Sequence, residues 1–405
     1  MKHFSDLGVQ PFFSDKLAVR SVKQPTAVQQ LVIPPLSEGK NIIFRSATGT
    51  GKTFAYILPA LRMILPGIST DSPEGGVPAS YSGPAFLVCA PTLELCSQIK
   101  NEIESLLPGG INVALLIGSV NLNRQIESLK KSKPLIAVGN PGRLLILARQ
   151  GRLKFAGLRF LVFDEADRLT ADDCREDTAS LVRIIAEERQ FRLTRSPGGN
   201  TSMIVAACSA TVSDKIRESF QPLLDDALFI ETEEQEILRE RIEHWAVFSE
   251  GRGKTQTLRS FLAAAKPKKV LVFLGRSFEA GKIVASLQYH HIAAVGLYGK
   301  MDKKDRKEAV DRFRSGKAKV LVSSDLSARG LDFPDISHVV ALDVPENKEA
   351  YIHRAGRTGR AGKRGIMVSI GDEIEMRRLA ALEKKLGIIV HPKELYGGKV
   401  CDPES

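Results

Sequence analysis

Phe160-Leu161-Val162-Phe163-Asp164-Glu165-Ala166-Asp167 is an apolar run that ends abruptly in carboxylates. Such a run reads as a strand buried on both faces, which implies a parallel sheet covered by helices. Well upstream stands Gly49-Thr50-Gly51-Lys52-Thr53, the glycine-rich turn of a nucleotide-binding P-loop. Glycines let that turn aim several N–H groups at a β-phosphate, and the helix that follows adds its positive end. Ser46, Ala47, Thr48, Gly49, Thr50 and Gly51 would line the phosphates, with Lys52 reaching the β- and γ-phosphates. Thr53 and Asp164 would hold Mg²⁺, Asp164 through a coordinated water, leaving Glu165 to orient the attacking water. Ser46 replaces the first glycine of the general pattern, and Asp-Glu-Ala-Asp by itself could be an acidic helix start. The two motifs in this order imply binding and hydrolysis of ATP.

The 405 residues are enough for two or three domains, each with its own core. Contents of 43% hydrophobic and 26% charged residues are those of a soluble globular protein. Lys and Arg, 58 against 47 Asp and Glu, give a net charge of +11, which favours a polyanionic partner, although a solvated basic surface gives the same balance. Cys89, Cys96, Cys174, Cys208 and Cys401 show neither CxxC pairing nor metal-ligand spacing. They read as reduced thiols of a cytosol-like compartment. No apolar stretch is long enough for a membrane span, and no signal region precedes the first helical pattern. A cytoplasmic protein without membrane contact is expected.

The same grammar occurs twice. Short apolar runs at Asn41-Ile42-Ile43-Phe44, Ala85-Phe86-Leu87-Val88, Leu135-Ile136-Ala137-Val138 and Met203-Ile204-Val205-Ala206-Ala207 join the opening strand. A second set follows at His244-Trp245-Ala246-Val247-Phe248, Val270-Leu271-Val272-Phe273, residues 292–297, Val320-Leu321-Val322, Val339-Val340-Ala341-Leu342 and Ile366-Met367-Val368-Ser369. Two tandem α/β domains follow, at 1–226 and 240–392, with a charged linker at 227–239 and a short tail at 393–405. Residues 66–84 and 194–202 read as surface loops, and 373–386 as a helix covering the second sheet. The second half has no phosphate-binding lysine turn, so one nucleotide is expected to be shared by the halves. The second half's contribution would come from His353-Arg354-Ala355-Gly356-Arg357-Thr358-Gly359-Arg360, where guanidiniums recur every three residues and could stabilise γ-phosphate charge. A basic helix end or an RNA-binding patch would share that composition.

These motifs resemble the DEAD-box ATP-dependent RNA helicases of superfamily 2, over almost the whole chain. The resemblance implies two tandem RecA-like domains, each a mostly parallel sheet flanked by helices. Pro25-Thr26-Ala27-Val28-Gln29 is similar to the adenine-reading motif of that family, with Gln29 contacting the base edge, Phe4 the upstream aromatic and Gln24 a further contact. By the same likeness Ser209 and Thr211 of Ser209-Ala210-Thr211 would couple hydrolysis to domain movement through the carboxylates, Asp167 included. Asp332 would hold the ribose with Gly330 as a further cofactor-binding residue, Arg357 and Arg360 would hold the γ-phosphate, and His353 would link the arginines to the carboxylates. RNA would lie along Pro91, Thr92, Gly118, Ser119, Pro141, Gly142 and Arg143 of the first domain. On the second it would meet Gly275, Gly299, Arg306, Ser324 and Asp325.

Departures from the family pattern gather on the RNA side: Leu93 for an arginine, Ser119 for a glycine, Asn140 for a threonine, Lys303 for a glutamine and Ser324 for a threonine. Leu93 cannot bind a phosphate as an arginine would, and the added cation of Lys303 could partly compensate through counterion release. The resulting expectation is a monomeric ATP- and Mg²⁺-dependent RNA helicase. It would grip one strand through sequence-independent backbone contacts, unwind short duplexes or remodel RNA–protein complexes, and could work with ribonucleoprotein or protein cofactors. An ATP-gated RNA clamp or chaperone that does not unwind efficiently is the alternative. A DNA translocase or a P-loop kinase accounts for less, since a kinase needs neither Gln29 nor the arginine series. No appended RNA-binding module is read after residue 387.

Overall fold

The computed structural model describes residues 3–45, 51–67, 83–171, 173–195, 203–209, 214–231, 238, 240–275, 280–298, 301–324, 333, 335–359 and 363–403. These divide into two compact units, one up to residue 231 and one from residue 238.

In the first unit the strands are β1 (Ile42–Arg45), β2 (Phe86–Cys89), β3 (Val113–Leu116), β4 (Ile136–Gly139), β5 (Phe160–Asp164), β6 (Ile204–Ser209) and β7 (Leu228–Glu231). The helices are α1 (Pro11–Val19), α2 (Ala27–Ser37), α3 (Lys52–Ile64), α4 (Leu93–Leu106), α5 (Leu122–Ser132), α6 (Pro141–Arg149), α7 (Ala166–Leu169), α8 (Arg175–Arg195) and α9 (Asp214–Leu224). Strand order is β3-β4-β2-β5-β6-β1-β7, and every neighbouring pair is parallel. Parallel pairs need crossovers, and the crossover helices cover both faces. Side chains therefore alternate between two buried layers: Phe160 and Val162 pack into one with Phe44 and Tyr56, Leu161 and Phe163 into the other with Leu181 and Phe220. Each fully buried phenylalanine contributes about 1.5–3 kcal/mol. That double burial is why the opening run is continuous rather than alternating.

The second unit has β8 (Ile242–Phe248), β9 (Val270–Leu274), β10 (Ala294–Leu297), β11 (Val320–Ser324), β12 (His338–Ala341), β13 (Gly365–Gly371), β14 (Val390–Tyr396) and β15 (Lys399–Cys401). Its helices are α10 (Lys254–Ala265), α11 (Ala280–Tyr289), α12 (Lys303–Arg314), α13 (Lys348–Ala355) and α14 (Glu373–Leu386). The order is β10-β11-β9-β12-β13-β8-β14-β15, parallel throughout except for β14 with β15. Both units are thus parallel-dominated α/β sheets, as expected. Helix α14 spans the residues expected of it, started by an Asp372–Glu375 capping box and stopped by Gly387 at φ 60°.

Two segments differ from the expectation. Residues 228–231, read as linker, form β7 against β1, and 393–401, read as tail, form the end of β14 and all of β15. The second is largely exposed and of mixed polarity and lacks the apolar run of the central strands, whereas Leu228-Phe229-Ile230 carries a short apolar run on a largely exposed edge strand that leads into a charged segment. The loops at 66–84 and 194–202 fall mostly outside the described residues. No described helix is long and apolar enough to cross a membrane.

Candidate active site

β5 carries Asp164 to the carboxyl edge of the first sheet, in register with Cys208 of β6. The side chain is 4% exposed, and a carboxylate buried this deeply must be hydrogen-bonded. Its Oδ1 accepts from the backbone N–H of Glu165 at 2.8 Å and from the Cys208 thiol at 2.9 Å. Its Oδ2 accepts from the Tyr56 hydroxyl at 2.8 Å. Burial, reinforced by the Asp164 charge, pushes the Tyr56 phenol and the Cys208 thiol well above their usual ranges, so both remain protonated donors.

The next residue turns sharply. Glu165 sits at φ 51° and ψ 54°, a left-handed conformation uncommon for a residue with a side chain. Such strain costs on the order of 1 kcal/mol and concentrates at functional sites. Burial first, and the neighbouring Asp164 second, raise the Glu165 carboxyl above the ordinary carboxylate value, against the pull of Arg168 and Lys52. Arg168 Nη1 lies 3.5 Å from its Oε2. A carboxylate with raised proton affinity beside a second carboxylate is suited to taking hydrogen bonds from a water nucleophile. Two residues on, the Asp167 N–H donates to Ser209 Oγ at 3.2 Å, joining the helix start to the end of β6.

Gly51 precedes α3 at φ 92°, and a Cβ there would lie 2.5 Å from Gln29 Nε2. Only glycine permits that approach. Gln29 Nε2 donates to the Gly51 carbonyl at 3.0 Å while its Oε1 accepts from Thr26 N at 2.9 Å within a capping box. The structure thus brings the adenine-motif glutamine and the end of the phosphate turn together. Lys52, buried, occupies the first turn of α3. Thr53 follows, one turn before Tyr56 on the same helix. Phe4 packs in the same apolar cluster as Val28 and Tyr56, and Gln24 is exposed.

This donor set fits a hard cation. A carboxylate offers four lone-pair sites; donors from the protein take two on Oδ1 and one on Oδ2, leaving one on Oδ2, and α3 adds the Thr53 hydroxyl as a second oxygen donor. Among the described residues no group of three His, Cys, Asp or Glu side chains could hold a metal alone, so Mg²⁺ here would draw on phosphate and water oxygens too.

The expected RNA-side residues of the first unit surround a buried polar network. Arg143, 8% exposed, donates through Nη1 to Gln125 Oε1 at 2.7 Å and through Nη2 to the Gly118 carbonyl at 3.1 Å. Gln125 Nε2 in turn donates to the carbonyls of Leu115 and Ile117. The guanidinium therefore braces the exposed Gly118–Ser119 turn from inside. Thr92 caps α4 by accepting from Leu95 N at 3.2 Å, Pro141 is buried at the start of α6, and Gly142 faces the Asp177 carboxylate. Leu93 packs against the apolar core, which accounts for an apolar side chain where the family has arginine.

In the second unit Gly275 N donates to Asp343 Oδ2 at 2.6 Å, and Arg354 Nη1 donates to the Asp343 carbonyl at 2.6 Å with its guanidinium over Phe273. Arg306 lies half-buried on α12 and Ser324 buried at the end of β11. α13 carries His353, and Arg357 lies buried in the turn that follows. Burial keeps His244 neutral, its Nε2 donating to the Leu238 carbonyl at 2.9 Å and its Nδ1 accepting from the α13 residue Tyr351 at 2.8 Å. Ser46, Ala47, Thr48, Gly49, Thr50, Thr211, Gly299, Asp325, Gly330, Asp332 and Arg360 lie outside the described residues. Sequence reasoning did not single out Tyr56, Cys208 or Gln125: each sits inside an apolar or amphipathic pattern, and only the packing of helices and strands shows what it touches.

Comparison with known proteins is consistent over the whole length. Residues 26–219 match the DEAD/DEAH box helicase domain family and 253–362 the helicase conserved C-terminal domain. The chain is 32% identical to the DEAD-box ATP-dependent RNA helicase CshC of Bacillus cereus, over 97% of this chain and 94% of that protein. It is 33% identical to DEAD-box ATP-dependent RNA helicase 47B of Oryza sativa, over 98% of this chain and 76% of that one. The fold superposes on S. cerevisiae Dbp5 bound to RNA and ADP BeF3 with a TM-score of 0.77 and 23% identity, covering 97% and 96% of the two chains.

Proposed function

Because this chain belongs to the DEAD-box helicases of superfamily 2, and is an ATP-hydrolysing, RNA-binding enzyme of that family, we propose an assignment of the steps to its residues. Gln29, with Phe4 and Gln24 near it, selects adenine, since a carboxamide can both donate to and accept from that base edge. The phosphate turn from Ser46 to Gly51, with Lys52, binds the phosphates, while Gly330 and Asp332 hold the ribose. Thr53 and Asp164 hold Mg²⁺, which supplies charge neutralisation at the phosphates when bound. Glu165 orients the attacking water. Arg357 and Arg360 stabilise charge on the transferring phosphoryl group, a contribution of roughly 10³–10⁵ in rate where arginine fingers act.

RNA is held through sugar and phosphate by Pro91, Thr92, Gly118, Ser119, Pro141, Gly142, Gly275, Gly299, Arg306, Ser324 and Asp325. Arg143 serves this surface by bracing the Gly118 turn. ATP and RNA favour the same arrangement of the two units, so each raises the other's affinity. Bending of the gripped strand separates a short duplex locally, and phosphate release relaxes the grip. Ser209, Thr211 and Asp167, with His353, pass the change between the nucleotide and RNA surfaces. The protein acts as a monomer, alone or with protein cofactors on ribonucleoprotein particles.

The observation that carries this reading is the end of β5: an Asp164 held by three protein donors, the strained Glu165 with raised proton affinity, and the Asp167–Ser209 link within four residues. Strand displacement on a short RNA duplex, measured beside RNA-stimulated phosphate release, tests it. Both activities together support the helicase reading. Stimulated hydrolysis without displacement supports the second reading, an ATP-gated RNA clamp, which the inward-packed Leu93 and inward-bonded Arg143 favour because neither offers a phosphate contact.

A further inference from the structure

Three protein donors converge on the Asp164 carboxylate, and two of them come from side chains that none of the recognised motifs assigns a role: Tyr56, one turn into α3, and Cys208, one residue before Ser209. We propose that Tyr56 and Cys208 are positioning residues for the metal–nucleotide complex, locking the Asp164 carboxylate so that a single Oδ2 lone pair is presented to the water shell of Mg²⁺. The inference rests on the assignment of Asp164 to the metal.

The lone-pair count carries the first part. With Glu165 N and the thiol on Oδ1 and the phenol on Oδ2, rotation of the carboxylate about its Cβ–Cγ bond breaks bonds on both oxygens at once. At 4% exposure little solvent is at hand to replace them, so the carboxylate keeps one orientation. Tyr56 carries the second part. It stands one turn after Thr53 on α3, so its bond to Asp164 ties the helix that carries the threonine to the end of β5. One phenol thereby fixes the two elements of the metal site to each other.

Cys208 adds a connection along β6. Consecutive residues of that strand bond to the two ends of the carboxylate segment, Cys208 to Asp164 and Ser209 to Asp167. A shift of the β6 end is therefore felt at the metal carboxylate as well as at the coupling residue. Partners that orient a metal-binding side chain typically contribute about 10- to 100-fold in affinity or rate, so the loss of either should be measurable at equilibrium.

The test is the Mg²⁺ dependence of binding of a fluorescent ADP analogue to the full chain without RNA. Tyr56→Phe, which changes no packing volume to speak of, and Cys208→Ala should leave affinity in EDTA within about 2-fold and raise the Mg²⁺ concentration for half-maximal tightening about 10-fold. Cys208→Ser, which keeps a donor, should restore the wild-type value. Wild-type Mg²⁺ dependence in both single variants, or a serine variant that behaves like alanine, overturns the proposal. If Cys208→Ala fails to fold, Tyr56→Phe decides alone. Asp164→Asn separates the two layers of the argument: loss of Mg²⁺ dependence there with silent Tyr56 and Cys208 variants removes only this inference, whereas an indifferent Asp164→Asn removes the metal assignment itself.

Discussion

Replacing Arg143 by methionine separates two roles that the sequence pattern merges, phosphate contact and internal brace. Methionine fills most of the aliphatic volume but ends the bonds to Gln125 Oε1 and the Gly118 carbonyl. Gln125 is 5% exposed, so its stranded oxygen costs about 1–3 kcal/mol. The Gly118 turn is exposed and its carbonyl can recover water, which reduces that loss to about 1 kcal/mol. Destabilisation of the first unit by about 2–4 kcal/mol follows. Urea unfolding followed by far-ultraviolet circular dichroism reads the loss. Trp245, the lone tryptophan of the chain, lies in the second unit and reports that unit's transition as an internal control. RNA affinity should fall because the Gly118–Ser119 turn loses its support, while the slope of affinity against salt stays unchanged. A slope shallower by about 0.7, with an unchanged first-unit midpoint, would show that Arg143 neutralises a phosphate, and would refute the brace.

Glu165→Gln keeps the shape of the carboxylate but weakens its hold on a water proton; nucleotide binding should persist while kcat falls by at least ~100-fold, and an unchanged kcat removes Glu165 from the reaction. His338, packed by Trp245 and Phe261, is held by burial at a pKa of about 4 rather than 6.5. Between those values the unfolded chain binds a proton that the folded one refuses, so stability is full above the upper value and lost as pH falls towards the lower, by up to ~3 kcal/mol. His338→Asn should shrink the difference in thermal midpoint between pH ~7 and ~5 read by Trp245 fluorescence; an equal acid shift in the variant contradicts the assignment. Leu93→Arg restores the family's cation at the start of α4 and should steepen the salt slope of RNA binding by about 0.7, at a cost of about 1 kcal/mol in packing. An unaltered slope places Leu93 away from the RNA path.

How much of this was legible from the residues depends on the period of the signal. Continuous apolar runs announced β5, β6, β9 and β11 because strands buried on both faces have no polar positions to interrupt them. The Gly51 turn was legible for a related reason: a φ of 92° and a Cβ position only 2.5 Å from Gln29 leave glycine as the residue that fits. β15 was illegible because an edge strand facing solvent imposes no such composition, and β7 because its short apolar run, Leu228 to Ile230, adjoins the charged segment read as linker. The partners of Asp164 were hidden differently. Tyr56 reads as one more apolar position on α3 and Cys208 as one more small residue in β6, and each is indeed fully buried. Their polar atoms gain meaning only when the crossover brings α3 back over β5 and β6. A sequence pattern reports which face of an element is buried, whereas the hydrogen bonds inside that face are set by register between segments more than a hundred residues apart in the case of Tyr56 and Asp164. The same reasoning explains why a motif arginine such as Arg143 could be placed on the RNA side from its neighbours and yet spend its donors inward. Motif membership fixes where a side chain starts, and the packing of Gln125 against β3 fixes where it ends.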